Sequence, residues 1–104
     1  MNSLTELEEK ILDRQEAERK AQICVHIAHA IKVKKLTQVA AAELLGIDQA
    51  KVSRITRGKF HGVSETKLLA MLAKLGHRVR IHIEPLLEQE AEVQLSFEEA
   101  RALA

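Results

Sequence analysis

The side chains best suited to recognising another molecule lie close together between Gln49 and Lys59. Arginine and glutamine can each make paired hydrogen bonds to a guanine or adenine edge, and a small alanine can contact a thymine methyl group. At about 100° per residue, Val52 and Ile55 point to one side of a helix and the polar residues to the other. The candidate binding residues on and just after this helix are Gln49, Ala50, Lys51, Ser53, Arg54, Arg57 and Lys59. The pattern predicts a helix that buries its apolar side and offers a cationic side to a nucleic acid.

A second short helix is expected just before it. Thr37 and Asp48 are residue types that cap helix N-termini by accepting backbone N–H groups. Gly46, between them, suits the left-handed conformation that ends a helix. The alanine-rich run between Thr37 and Gly46 has high helix propensity, and its small side chains let another helix cross closely at Ala42. This order of caps and glycine predicts a helix-turn-helix, whose second helix enters the major groove of DNA.

The net charge of +1 conceals an uneven distribution along the chain. Residues 1–18 hold two Lys/Arg and six Asp/Glu, residues 19–82 hold thirteen and three, and residues 83–104 hold one and six. A basic centre between acidic ends is typical of a nucleic-acid-binding domain whose terminal segments serve another purpose. Within the centre, Gln38 at a helix start and Lys59 and His61 in a loop are expected to contact phosphates.

Apolar periodicity predicts further helices on both sides of this motif. Ser3 and Glu6 have capping-box spacing, which predicts an N-terminal helix. Residues 14–20 are polar all round, so we expect the helix to break there or to bridge through solvent. The apolar pattern resumes at Ala21 with a first core helix, and Ser64 is the predicted cap of the last helix.

The segment Arg78–Ile83 alternates cationic and apolar residues, which predicts a half-buried strand ended by Pro85. No second strand is evident, and a lone strand leaves its backbone donors and acceptors unpaired. We therefore expect it to pair with the same strand of a second copy. An unpaired edge strand, or pairing with the N-terminal segment, remains the alternative. A two-fold dimer would match a palindromic site on DNA.

The composition excludes several other functions. A chain of 104 residues without Trp or Tyr forms one domain with an aliphatic core and lacks the aromatic surface used to bind single strands. Cys24 is the only cysteine, so no intrachain disulfide is expected, and we predict a buried thiol. His26 and His29 lie three apart on a helix and could share a metal, but no acidic or Cys ligand is close in sequence, so we expect no metal site. No other group has the spacing of a metal, cofactor or catalytic site. We predict a protein of the reducing cytoplasm that is not an enzyme and does not bind a membrane.

The stretch LTQVAAAELLGIDQAKVSRITRGK resembles the Xre/Cro/C1-type helix-turn-helix family of phage repressors. The longer stretch from about Glu18 to Pro85 resembles the branch that contains HigA-type antitoxins. The resemblance implies a mainly α, lambda-repressor-like bundle of four to five helices, to which the residue pattern adds one C-terminal strand paired across a dimer. It also implies that Gln38 holds a phosphate and that Gln49, Ala50, Lys51 and Arg54 face bases. Ala50 departs from the family, because many phage repressors carry a polar reader there.

These observations predict three parts: an acidic helical extension (1–19), a DNA-binding domain with a C-terminal strand (20–84) and an acidic tail (85–104). The predicted function is that of a sequence-specific regulator of transcription that binds double-stranded DNA, with repression implied by the resemblance. The alternative is an antitoxin of a type II toxin–antitoxin pair that also sequesters a toxin through its N- or C-terminal segment. Double-stranded RNA fits less well, because its deep, narrow major groove does not admit a helix.

Overall fold

The computed structural model describes residues 5–86, which contain four helices. Helix α1 spans Glu6–Val33, α2 spans Gln38–Leu45, α3 spans Gln49–Thr56 and α4 spans Glu65–Lys74. The first helix packs against α3 and α4, and α2 packs against α3 and α4. The predicted mainly helical bundle is confirmed for this part of the chain. Predictions for the acidic tail beyond Leu86 lie outside the described residues.

Each of the four helices begins after a side chain that accepts a backbone N–H from three residues further on. The accepting oxygens belong to Thr5, Thr37, Asp48 and Ser64, at distances between 2.7 and 3.1 Å. The three predicted caps Thr37, Asp48 and Ser64 are confirmed. The predicted start at Ser3 is wrong, because Thr5 caps α1 and has Glu8 at the same capping-box spacing.

The expected break in the polar stretch between residues 14 and 20 does not occur, because α1 continues for 28 residues. A long-range ion pair holds this stretch against the bundle. The Arg19 Nε lies 2.6 Å from Glu65 Oε2, and Nη2 of the same guanidinium lies 3.3 Å from Oε1. The two side chains are only 11% and 25% exposed. Two parallel bonds of this kind fix orientation as well as distance, so the first turn of α4 anchors the middle of α1.

Lys20 makes a second tie between α1 and the loop that precedes α4. Its ammonium lies 3.2 Å from Glu16 Oε1 and 5.9 Å from the centroid of the Phe60 ring. A cation over an aromatic face is attracted by the ring quadrupole. Phe60 in turn packs against the buried core. The polar stretch is therefore a packed face of the bundle and not a solvent-bridging segment.

The core is aliphatic, as the composition predicted. Ala42 is buried where α2 meets its neighbours, and Ala41 is fully buried beside it. Cys24 is a buried thiol, as expected; burial raises its pKa, and the positive charge of Lys20 opposes this. The largest fully buried side chains are Ile23, Ile27, Ile55, Leu68, Leu75, Val52 and Cys24.

The segment after α4 has no regular secondary structure between residues 77 and 86. Val79, Ile81 and Ile83 are 36%, 70% and 88% exposed. The predicted half-buried strand is therefore not seen in the described part of the single chain. A strand exists only with a pairing partner, and residues 5–86 of one copy supply none for this segment. Pairing between two copies stays a prediction.

We expect Arg19→Met to lower the free energy of unfolding by about 1–3 kcal/mol. The substitution leaves the half-buried Glu65 carboxylate without its guanidinium partner, which is the costly part of breaking such a pair. Urea unfolding of Arg19→Met, Glu65→Gln and the double variant would measure the coupling energy. Lys10→Met, on the exposed part of the same helix, is the matched control. Additive effects of the two substitutions would show that the pair contributes nothing to stability.

Candidate nucleic-acid interface

Helix α3 has one buried and one exposed side. Val52 and Ile55 are each 1% exposed and belong to the core. Asp48 caps the helix by accepting the Lys51 N–H at 2.7 Å. Of the predicted binding residues on or next to this helix, Gln49, Ala50, Arg54, Arg57 and Lys59 are exposed, and Lys51 and Ser53 are half-buried. The structure thus places all of them where solvent, or a ligand, can reach them.

A glycine in the left-handed conformation lies on each side of α3. Gly46, with φ 69°, ends α2 and allows the short turn into α3. Gly58, with φ 78°, follows α3, and there the Lys59 N–H donates to the Arg54 carbonyl at 2.9 Å. This bonding closes the helix end tightly. The backbone of Lys59 is therefore held at the C-terminal end of α3, and its side chain is exposed.

The two arginines of α3 are not equivalent. Arg57 is the C-cap residue, and its Nε donates to the Ser53 carbonyl at 3.2 Å. The hydroxyl of Thr56 donates to the same carbonyl at 3.0 Å. Arg54 lies inside the helix and is exposed. The sequence pattern placed both arginines on one face of α3. In the structure, the Arg57 side chain is bonded to the backbone of α3. Arg54 is therefore the arginine of that face that lies within the helix.

The N-terminus of α2 carries the predicted phosphate ligand Gln38. Thr37 accepts the Ala40 N–H at 3.0 Å, whereas the first N–H groups of a helix have no partner within it. Gln38 is the first residue of α2 and is exposed. Because α2 packs directly on α3, the amide of Gln38 and these N–H groups belong to the same two-helix unit as the exposed side of α3.

One positioning contact could not be found from the sequence. The ammonium of Lys74, at the end of α4, donates to the Leu45 carbonyl at 3.4 Å. It therefore satisfies an unpaired carbonyl at the end of α2 and ties the α2–α3 turn to α4. The two residues are 29 positions apart, so no local pattern indicates the contact.

Three histidines lie close enough to interact, His26 and His29 in α1 and His77 after the end of α4. Burial lowers the pKa of His26, and the nearby His77 and His29 lower it further by charge repulsion. Each protonated imidazole would disfavour a second positive charge beside it. The cluster therefore favours neutral His26 in the folded state.

We expect the stability of the protein to fall as the pH is lowered from about 7.5 to about 5. The folded-state pKa of His26 lies below its ordinary value of 6.5, so the unfolded chain takes up the proton first. The stabilisation that comes from neutral His26 is complete above the pKa of this residue in the unfolded chain. It is lost as the pH falls through the pKa of His26 in the folded state. Melting temperatures across this range should decrease less for His26→Gln than for the parent. His61→Gln, at an exposed loop position, is the control, and equal slopes for His26→Gln and the parent would contradict the assignment.

Two short helices joined at a left-handed glycine, with the second presenting a polar cationic side, define a helix-turn-helix protein. A model of the helix-turn-helix domain family matches residues 6–84, and the chain belongs to this family. A solved structure of a protein assigned to the XRE family of transcriptional regulators is similar to it, with a TM-score of 0.73 and 32% identity. The match covers 85% of this chain and 99% of that chain. The Xre-type assignment is confirmed, and the HigA-type branch stays a prediction.

No curated protein sequence matches the chain. In the part of the chain that the structure describes, no helix is long and apolar enough to cross a membrane.

Proposed function

We propose that this protein is a regulator of transcription that binds double-stranded DNA in a sequence-specific manner, as a homodimer. The observation that carries the proposal is the two-sided character of α3. Its apolar side is buried through Val52 and Ile55, and its opposite side is exposed and carries Arg54. A polar face of this kind on the second helix of the motif has the dimensions and donors to read a major groove.

Gln49, Ala50 and Arg54 on α3 would contact the bases, and Lys51, Ser53 and Arg57 flank them. Arg54 can donate two hydrogen bonds to a guanine, and Gln49 can make two with an adenine. The methyl of Ala50 offers a contact to thymine and leaves room for the backbone to approach. Specificity is therefore assigned to the exposed side of a single helix.

Phosphate contacts set the register of the protein on the duplex. Gln38 and the unpaired N–H groups of α2 bind on one side of the groove, and Lys59 binds on the other. Residues 19–82 carry thirteen Lys/Arg and three Asp/Glu, so association should weaken steeply with added salt. Phosphate contacts of this kind supply affinity without sequence preference.

Two-fold symmetry would come from the segment Arg78–Ile83. Its Ile81 and Ile83 are strongly exposed, which is unfavourable in an isolated chain and is relieved when two strands pair. A dimer would set two α3 helices about 34–36 Å apart, one turn of DNA. Occupying a promoter in this way would exclude polymerase and repress transcription.

Selection of bound duplexes from a random pool tests the proposal. A palindrome in the enriched sequences is the expected result, because two symmetric copies of α3 would read two half-sites. The same selection with Arg54→Ala is the matched control and should lose one base position in each half-site. Absence of any enriched sequence at moderate salt would overturn the proposal.

A second candidate function is that of an antitoxin, and the exposed start of α1 supports it. Leu7 and Ile11 are 68% and 43% exposed on an acidic segment, a surface that could bind a basic toxin. Co-expression with the protein encoded by the adjacent gene tests this role. A stable complex that is lost on removing the segment before residue 19 or residues 85–104 would support it. If no complex forms, the protein acts as a regulator alone.

A further inference from the structure

The outward side of α1 carries apolar residues that the bundle does not cover. Ile23, Ile27 and Ile31 point into the core. At about 100° per residue, Leu7, Ile11 and Val25 lie on the opposite side of the same helix. They are 68%, 43% and 66% exposed. A helix with apolar side chains on both sides has a second surface to bury.

The spacing along this outward side is that of a helix-pairing seam. Successive positions are separated alternately by four and three residues, which is the spacing of the a and d positions of a coiled coil. Six of the seven side chains are exposed, and Ala28 is half-buried. The seam consists of Leu7, Ile11, Arg14, Glu18, Ala21, Val25 and Ala28.

The seam is complementary to itself when a second copy runs in the opposite direction. Centred on Glu16, antiparallel pairing puts Arg14 opposite Glu18 and, by symmetry, Glu18 opposite Arg14. A parallel arrangement would instead put each charge opposite its like.

The sizes of the paired side chains are also complementary in the antiparallel arrangement. The pairing sets Leu7 opposite Val25 and Ile11 opposite the small Ala21, so apolar layers lie on both sides of the charged centre. These layers join an a position to a d position, as antiparallel helix pairs require.

The shape of the chain permits this arrangement. The first core residue of α1 is Ile23 and its first tie to α4 is Arg19. Ahead of Arg19, the seam positions Leu7, Ile11, Arg14 and Glu18 are all exposed. In an antiparallel pair, the bundle of each copy lies beside the first half of the partner's α1. Neither bundle then occupies the space of its partner.

From this complementarity we infer that α1 is a self-association surface, whose occupant is the antiparallel α1 of a second copy. The inference does not depend on DNA binding or on the strand pairing proposed above. Where both contacts form, they join strand-paired dimers into larger assemblies. The seam has two apolar layers on each side of a charged centre. Matching of the central charges therefore decides whether two copies pair.

Charge exchange tests the inference most directly. Ile81→Pro, a substitution that prevents strand pairing, is placed in every variant so that α1 is the contact measured. Arg14→Glu gives a seam with two acidic residues, and Glu18→Arg gives one with two basic residues. We expect each to raise the dissociation constant of the dimer at least about tenfold. An equimolar mixture should regain the affinity of the parent, because both charge pairs are then restored between unlike chains.

Sedimentation equilibrium measures the masses, and circular dichroism checks that every variant keeps its helix content. Asp13→Arg changes the charge equally but lies on the other side of α1, so it should leave the dissociation constant unchanged. In the mixture each chain keeps its own substitution. Restored association must therefore come from charge pairs between chains and not from a change in the stability of a single helix. A parent that remains monomeric at about 100 µM, or a mixture no more associated than its components, would overturn the inference. Either result would also be the one expected if a different protein covers this side of α1.

Discussion

Arg54→Ala is expected to weaken binding to the selected duplex by about ten- to a hundredfold, or about 1–3 kcal/mol. Arg54 is exposed inside α3, whereas Arg57 is tied back to the Ser53 carbonyl. The substitution removes two directed donors from the groove and leaves the core unchanged. Discrimination at one base position should therefore be lost together with the affinity. Titration against duplexes changed at single positions measures both effects.

Two control variants separate base reading from phosphate binding. Gln38→Ala, at the start of α2, should weaken all duplexes to a similar degree, because phosphates carry no sequence information. Lys67→Ala removes an exposed cation from α4, a helix outside the α2–α3 motif, and should change binding little. If Arg54→Ala weakens every duplex equally, Arg54 contacts a phosphate and the assignment of base reading to it is wrong.

Leu68→Ala is expected to lower the free energy of unfolding by about 3 kcal/mol. Leu68 is fully buried in α4, the helix that packs against both α1 and α2. Removing the side chain loses its burial and leaves a cavity between close-packed elements. In a domain of this size such a loss is a large share of the total stability, so the melting temperature should fall markedly.

Leu69→Ala is the adjacent control for this effect. Leu69 is only partly buried at the margin of the core, so its truncation should cost about 1 kcal/mol. Urea unfolding measures both variants, and DNA binding under strongly native conditions should stay close to that of the parent. Equal costs for the two variants would contradict the packing described for α4.

Most of the local structure could be predicted from the sequence because its causes are local. Thr37, Asp48 and Ser64 cap helices through bonds to residues only three positions away. Gly46 and Gly58 adopt left-handed conformations that other residues avoid. The buried and exposed sides of α3 follow from its period. The proposed DNA-reading surface was therefore identifiable before the fold was known.

The continuity of α1 could not be predicted in the same way. Residues 14–20 lack an apolar stripe, and on that ground alone a break or a solvent-bridging segment was expected. The polar side chains are stabilised by partners far along the chain, namely Glu65 for Arg19 and Phe60 for Lys20. Such contacts depend on how helices pack and leave no periodic signal in the sequence.

By itself, then, the sequence determined the helix boundaries at the motif, the glycine turn and the polarity of α3, since these depend on interactions within a few residues. Only the tertiary structure decided that α1 is one helix, that Lys74 caps α2 and that Arg57 bonds back to Ser53 while Arg54 does not. The physical reason is the range of the interactions. A cap or a period acts along the chain, whereas an ion pair or a buried carbonyl finds its partner only after distant segments have packed together.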